Sequence, residues 1–109
     1  MDGGFVLLRW DGSDGTAYEK RFFKPVTIGR GVTNEVQFED DRVSRYHAVL
    51  WAEGGTWRVR DLDSANGTYM NRARVEGSAA LPKSCELRFH ANGPMVSVHV
   101  DTPTPTRVT

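Results

Sequence analysis

The chain has 109 residues, 39% of them hydrophobic and 26% charged, and its fourteen basic residues balance fourteen acidic ones. That length suits one domain able to bury roughly two-thirds of its unfolded surface, and the composition excludes wholesale disorder. Neutrality excludes the broad basic footprint of a nucleic-acid or anionic-membrane binder, and the single cysteine, Cys85, excludes an internal disulfide or a Cys-based zinc site.

The hydrophobic period along the chain is close to two. Phe5–Trp10 reads as a strand, Gly12–Gly15 as a turn, and Tyr18–Lys24 as the second arm of a hairpin. Val26–Ile28 is a short third strand running into Gly29-Arg30-Gly31, and Glu35–Phe38 is a fourth. The acidic run Glu39–Asp41 reads as a solvated loop. His47–Trp51 and Thr56–Arg60 flank Glu53-Gly54-Gly55 as a second hairpin. Asp61–Gly67 is dense in turn formers. Thr68–Met70, Arg74–Val75, Cys85–Phe89 and Met95–Val100 complete the set.

No eleven-residue window carries apolar positions at helical spacing, and turn signals recur every 8–12 residues, so the expectation is an all-β sandwich or barrel. The segment 101–109 alternates Thr and Pro and reads as an extended tail or linker. The domain is therefore expected over residues 4–100. The opening Met-Asp-Gly-Gly lacks the features of a signal peptide. No apolar run approaches the ~20 residues of a membrane span. His47, His90 and His99 show no metal spacing. A soluble cytoplasmic domain without metal or cofactor is expected.

Three polar clusters lie between strands: Gly29-Arg30, Ser44-Arg45-Tyr46-His47, and Asp61 through Thr68. A sandwich gathers its loops at two ends, and loops on a rigid scaffold commonly carry function. If these three share an end, they bring together Arg30, Ser44, Arg45, Ser64 and Asn66. That set is rich in donors, as a tetrahedral oxyanion requires.

Gly-Arg, then Ser-Arg-x-His, then Asn-Gly-Thr, in this order and between short strands, resembles the forkhead-associated (FHA) domain family. The resemblance runs from the first strand to the last and is most specific from Thr27 to Asn71. It implies a β-sandwich of about eleven short, mostly antiparallel strands that binds phosphothreonine peptides and is not an enzyme. It also implies roles for individual residues. Arg30 and Ser44 donate to the phosphate, and Arg45 contacts phosphate or the neighbouring peptide backbone. Asn66 hydrogen-bonds the peptide main chain just after the phosphothreonine. Gly29 and Gly67 allow tight turns, and His47 braces the loops. Ser64, beside them, is carried as a further phosphopeptide-binding residue. The implied partner is a phosphothreonine-containing protein or peptide made by a Ser/Thr kinase, with no nucleic acid or membrane. Further domains of a longer parent chain are also in view.

Two departures from the family pattern stand out. Ala65 occupies a position where many members have Thr, whose hydroxyl adds a phosphate contact, and Lys83-Ser84 stands near a usual Gly-Asp turn. Ala65 supports a second reading, an FHA-fold interaction module that acts independently of phosphorylation. For Arg45 the alternative to ligand contact is an ion pair with Asp40 or Asp41. Ser44, His47 and Asp61 or Asp63 supply the letters of a hydrolase triad, but Ser44 lacks a Gly-x-Ser-x-Gly elbow.

Overall fold

A computed structural model of the chain describes residues 4–101. Alternation of apolar and polar residues puts every second side chain of a strand on one face, and β1 (Phe5–Asp11) and β11 (Met95–Asp101) use it fully. Their antiparallel register sets Val6 against Val100, Leu8 against Val98 and Trp10 against Val96, all six buried. β2 (Ala17–Phe22) pairs with β1 as the first hairpin. β10 (Ser84–Arg88) lies on the other side of β11, followed by β7 (Tyr69–Met70) and β8 (Ala73–Arg74). The second sheet runs β4 (Val36–Gln37), β3 (Val26–Gly29), β5 (Ala48–Glu53), β6 (Thr56–Asp61) and β9 (Ser78–Ala80). All pairings are antiparallel except β3 with β4.

Between the sheets lies one core, in which Val26, Ile28, Leu50, Trp57 and Val59 from one side meet Leu8, Leu87, Val96 and Val98 from the other. Each fully buried aliphatic side chain contributes about 1.5–3 kcal/mol. The all-β sandwich and both hairpins thus follow the sequence pattern. β5 turns into β6 at Gly54-Gly55, with Glu53 opposite Thr56 and φ values of 60° and 82° that favour glycine.

Three local expectations change. β9, Ser-Ala-Ala, carries little strand propensity, and it forms because Arg58, Val59 and Arg60 of β6 present an open edge to pair with it. Val75 lies past β8, buried in the core, with its N–H on the Thr68 carbonyl at 2.8 Å. Asp40 is not freely solvated: its carboxylate takes the Arg42 N–H at 2.9 Å and lies 3.3 Å from Nε2 of the buried His90. The hydrogen bond from the Arg42 backbone, then His90, hold its carboxyl below the usual range. Cys85 is buried, and burial, aided by Glu86, pushes its thiol up to about 11, so it behaves as an inert core residue. β11 extends through Asp101, and the rest of the proposed tail, 102–109, lies outside the described residues.

Candidate functional site

Register brings the three polar clusters to one end of the sandwich. Ile28 of β3 pairs with Ala48 of β5, and Ala48 pairs with Asp61 of β6. The chain segments leaving these three positions are Gly29-Arg30, Ser44–His47 and the loop from Leu62 to Thr68. They therefore start side by side.

The first two segments are laced together by main-chain bonds. The Arg30 N–H donates to the Ser44 carbonyl at 2.9 Å, and the Gly31 N–H donates to the Arg45 carbonyl at 3.0 Å. Contact is so close that a Cβ on Gly29 would lie 2.2 Å from the Arg45 carbonyl oxygen. Only glycine fits there. Asn34, buried, adds Nδ2 bonds to the carbonyls of Gly31 at 2.7 Å and Arg45 at 2.8 Å. No local sequence signal marked Asn34 as a clamp, because its partners are distant carbonyls.

The third segment is tied in by His47. The Ser44 N–H donates to His47 Nδ1 at 3.0 Å, so the ring proton sits on Nε2 and donates to the Gly67 carbonyl at 2.8 Å. The ring is fully buried and meets Phe89 edge-on, with centroids 5.4 Å apart. Burial depresses its pKa below 6.5, against smaller opposing effects of the Gly67 bond and Asp61. The neutral ring is thus the stable form, a brace between loops two and three.

Asp61 organises the third loop from within. Its carboxylate accepts from the Ser64 hydroxyl at 2.5 Å, the Ser64 N–H at 3.1 Å and the Thr68 hydroxyl at 2.7 Å. Burial alone would raise this carboxyl; the hydrogen bonds from Ser64 and Thr68 outweigh it and hold it below the usual range. Ser64 Oγ also accepts the Gly67 N–H at 2.9 Å. The one hydroxyl proton of Ser64 is committed to Asp61, which differs from the expectation of Ser64 as an anion donor.

The remaining polar groups are differently disposed. Arg30 is exposed; its Nε donates to the Val43 carbonyl at 3.0 Å, and its two terminal NH2 groups have no partner among the described residues. Ser44 Oγ accepts the Ala65 N–H at 3.0 Å, which leaves its own proton free to be given. Arg45 is exposed, and its guanidinium forms no ion pair among the described residues; Asp40 associates with His90 and Arg42 instead. Asn66 donates Nδ2 to the Arg42 carbonyl at 2.9 Å, which pins loop three to loop two and leaves Oδ1 without a partner among the described residues. Two arginines, a serine proton and an amide therefore meet at one exposed loop surface. Asp61, the carboxylate at the root of loop three, is occupied by its own hydrogen bonds. The triad letters do not assemble: His47 Nδ1 faces the Ser44 N–H, not its hydroxyl.

Among the described residues, no group of three or more His, Cys, Asp or Glu side chains is placed to hold a metal ion. No helix is long and apolar enough to cross a membrane.

Comparison with known proteins agrees with this architecture. The FHA domain family model matches residues 26–90, which include all three loops. The FHA domain-containing protein FhaB of Mycolicibacterium smegmatis is 40% identical over 66 residues, covering 61% of this chain and 43% of that protein. The glycogen accumulation regulator GarA of the same species is 42% identical over 67 residues, covering 61% of this chain and 42% of that one. The chain thus spans less than half the length of these relatives. An FHA domain solved in a structural and functional study of phosphothreonine-dependent FHA interactions is 28% identical. It superposes with a TM-score of 0.71 over 92% of this chain and 99% of that one. The FhaA FHA domain, solved in complex with the intracellular domain of Rv3910, is 29% identical, with a TM-score of 0.68 over 86% of this chain and 99% of that one. With the sandwich, the shared loop end and the motif order in agreement, the chain belongs to the FHA domain family.

Proposed function

We propose that this domain, residues 4–100, is a phosphothreonine-dependent recognition module that docks phosphorylated segments of a partner protein on its three-loop end. The observation that carries the reading is the pairing of unengaged donors, on Arg30, Ser44 and Arg45, with a frame in which the His47 ring, the Asp61 carboxylate and the Ser64 hydroxyl are already bonded. Phosphate carries about −1.5 to −2 charge near neutral pH and suits a planar guanidinium beside a hydroxyl donor. Arg30 is oriented by its Nε bond to Val43, so it is ready to meet an anion without first being ordered. Asn66 then takes the peptide main chain just after the phosphothreonine, while Gly29, His47 and Gly67 hold the loops. Ser64 belongs with them as a brace. The domain binds and makes no covalent bond. It works in the cytoplasm, where a Ser/Thr kinase supplies the phosphothreonine, and it is fit to sit beside further domains in a longer chain.

The test is calorimetric titration with matched peptides, one carrying phosphothreonine, one phosphoserine and one plain threonine. Binding should require the phosphate, and phosphothreonine should be preferred over phosphoserine by about 1–3 kcal/mol for one methyl in a pocket. Equal binding of the plain and phosphorylated peptides would instead favour a phosphorylation-independent module, the reading that Ala65 supports.

A further inference from the structure

β2 and β4 are edge strands, one from each sheet. Between them lies a cleft of about 560 Å³, within the ~300–1,000 Å³ usual for ligand sites. The β1–β2 turn is tied across to the chain leaving β4, where the Glu39 N–H donates to Ser13 Oγ at 2.9 Å. One wall of the cleft is aromatic. Trp10 and Tyr18 stack there, with centroids 5.2 Å and planes 17° apart. A Cβ on Gly12 would come within 2.6 Å of Tyr18 Cε2. Any side chain at position 12 would displace the ring, so the wall depends on that glycine.

Charge on the cleft is one-sided. Asp14, Glu35 and Glu39 line it against a single cation, Lys20, and all four residues are exposed. Lys20 is drawn elsewhere: its Nζ lies over the Phe22 ring, 5.9 Å from the centroid. None of the three carboxylates has an ion-pair partner among the described residues. Asn34 lines the same cleft and is more than nine-tenths buried. Its Nδ2 is turned to the Gly31 and Arg45 carbonyls, and its Oδ1 has no donor among the described residues. With the nitrogen end spent on the loops, the oxygen end is left on the cleft side as an uncompensated negative dipole. Buried polar atoms normally have a partner, so this oxygen is a second sign that the cleft receives a cationic donor. The cation is not a metal, because among the described residues the carboxylates are not grouped to hold one, and an aromatic wall gives it no ligand. An ammonium or guanidinium suits both the π surface and the carboxylates.

We infer that this cleft is a second docking site, one that takes a lysine or arginine side chain of a partner protein. Its charge is opposite to that of the arginine-bearing loop end, and it stands whether or not that end reads phosphothreonine. The test is an NMR titration of the isotope-labelled full chain, read at the Trp10 indole N–H at constant ionic strength. The probes are acetyl-arginine amide, acetyl-lysine amide and the neutral acetyl-citrulline amide. Both cations should give saturating shifts with a Kd on the order of millimolar, as one exposed ion pair and one cation–π contact allow. Citrulline should bind about fivefold more weakly or not at all. Glu35→Gln should weaken the cations about two- to fivefold, and Lys20→Gln should tighten them about twofold. Glu53→Gln, at the β5–β6 turn, removes the same charge as Glu35→Gln and should leave binding unchanged. Shifts that do not saturate overturn the proposal, and so do equal shifts with citrulline. Equal weakening by Glu35→Gln and Glu53→Gln also overturns it, because the probes would then be answering net charge and not the cleft.

Discussion

The β3–β5–β6 ladder ends in two ways. At one end β5 returns into β6 through Gly54-Gly55 alone, with nothing beyond the adjoining residues within 4 Å of where a Cβ on either would lie. At the other end the same strands open into segments that hold each other by bonds spanning long stretches of chain. Ala65 to Ser44 spans 21 residues, His47 to Gly67 spans 20, and Asn66 to Arg42 spans 24. The hairpin turn is a local solution and stands without help. The loop end is a collective one, in which each brace exists only because the sheet has already aligned the others. Such an end can hold unpaired donors in place at little further entropic cost, as recognition of a small anion requires.

If this contrast is right, the largest effect comes from removing the shared brace. His47→Ala deletes a buried ring and two hydrogen bonds and should cost about 3–4 kcal/mol of stability. Urea unfolding is the measure, and a loss below about 1 kcal/mol would mean that the loops do not depend on one another. Acid should act in the same direction. His47 has a folded-state pKa below 6.5, so its contribution is whole above that pH and declines as pH falls below it, where the unfolded chain takes up the proton first. Asp61 adds a second decline at lower pH: its folded pKa lies below 3.8, so its contribution is present above that value and lost as pH falls through the folded pKa.

Arg30→Ala should separate binding from bracing. Affinity for a phosphothreonine peptide should fall by about 2–3 kcal/mol, roughly 30- to 150-fold, while the melting temperature changes little, since only one part-buried bond, to Val43, is lost. Undiminished binding would remove Arg30 from the site.

Ser64→Ala tests the opposite assignment. Stability should drop by about 1–2 kcal/mol as the Asp61 and Gly67 bonds go, with phosphopeptide affinity within about threefold of the wild type. A tenfold loss of affinity at unchanged stability would return Ser64 to the ligand set.

Ala65→Thr adds a hydroxyl next to Ser44, because the Ala65 N–H already bonds Ser44 Oγ and residue 65 is exposed. Phosphopeptide binding should tighten by about 0.5–1.5 kcal/mol, less than a full charge-assisted bond because the new hydroxyl takes the place of solvent on the phosphate. The gain should disappear in an Arg30→Ala background; additive effects in that double-mutant cycle would place residue 65 away from the phosphate.

The smallest effect belongs to the local end. Gly54→Asn meets no neighbour, and asparagine tolerates a φ of 60°, so stability should change by less than about 0.5 kcal/mol and binding not at all. A change in peptide affinity would show that the two ends communicate.

Features with a short physical range were legible in the amino-acid sequence alone. Alternation in Phe5–Trp10 and Met95–Val100 marks one buried face of each strand, because side chains alternate whatever the strand pairs with. Glu53-Gly54-Gly55 marks a turn, because φ above zero is a property of the residue itself. The motif order from Gly29 to Thr68 marked the family and the three loops. Tertiary structure decided the remainder. Ser-Ala-Ala at 78–80 becomes a strand only because β6 has an edge to fill. Asp40 is drawn from solvent by His90, fifty residues away. Ser64 and Arg45 look alike as polar loop residues, but the fold gives the hydroxyl of one to Asp61 and leaves the guanidinium of the other unpaired. For β9 and Asp40 the partner is distant along the chain, and a hydrogen bond, being directional and short, forms only once the sheets have brought donor and acceptor within about 3 Å; the Ser64–Asp61 bond is local, but which hydroxyl the loop consumes is settled by its folded turn.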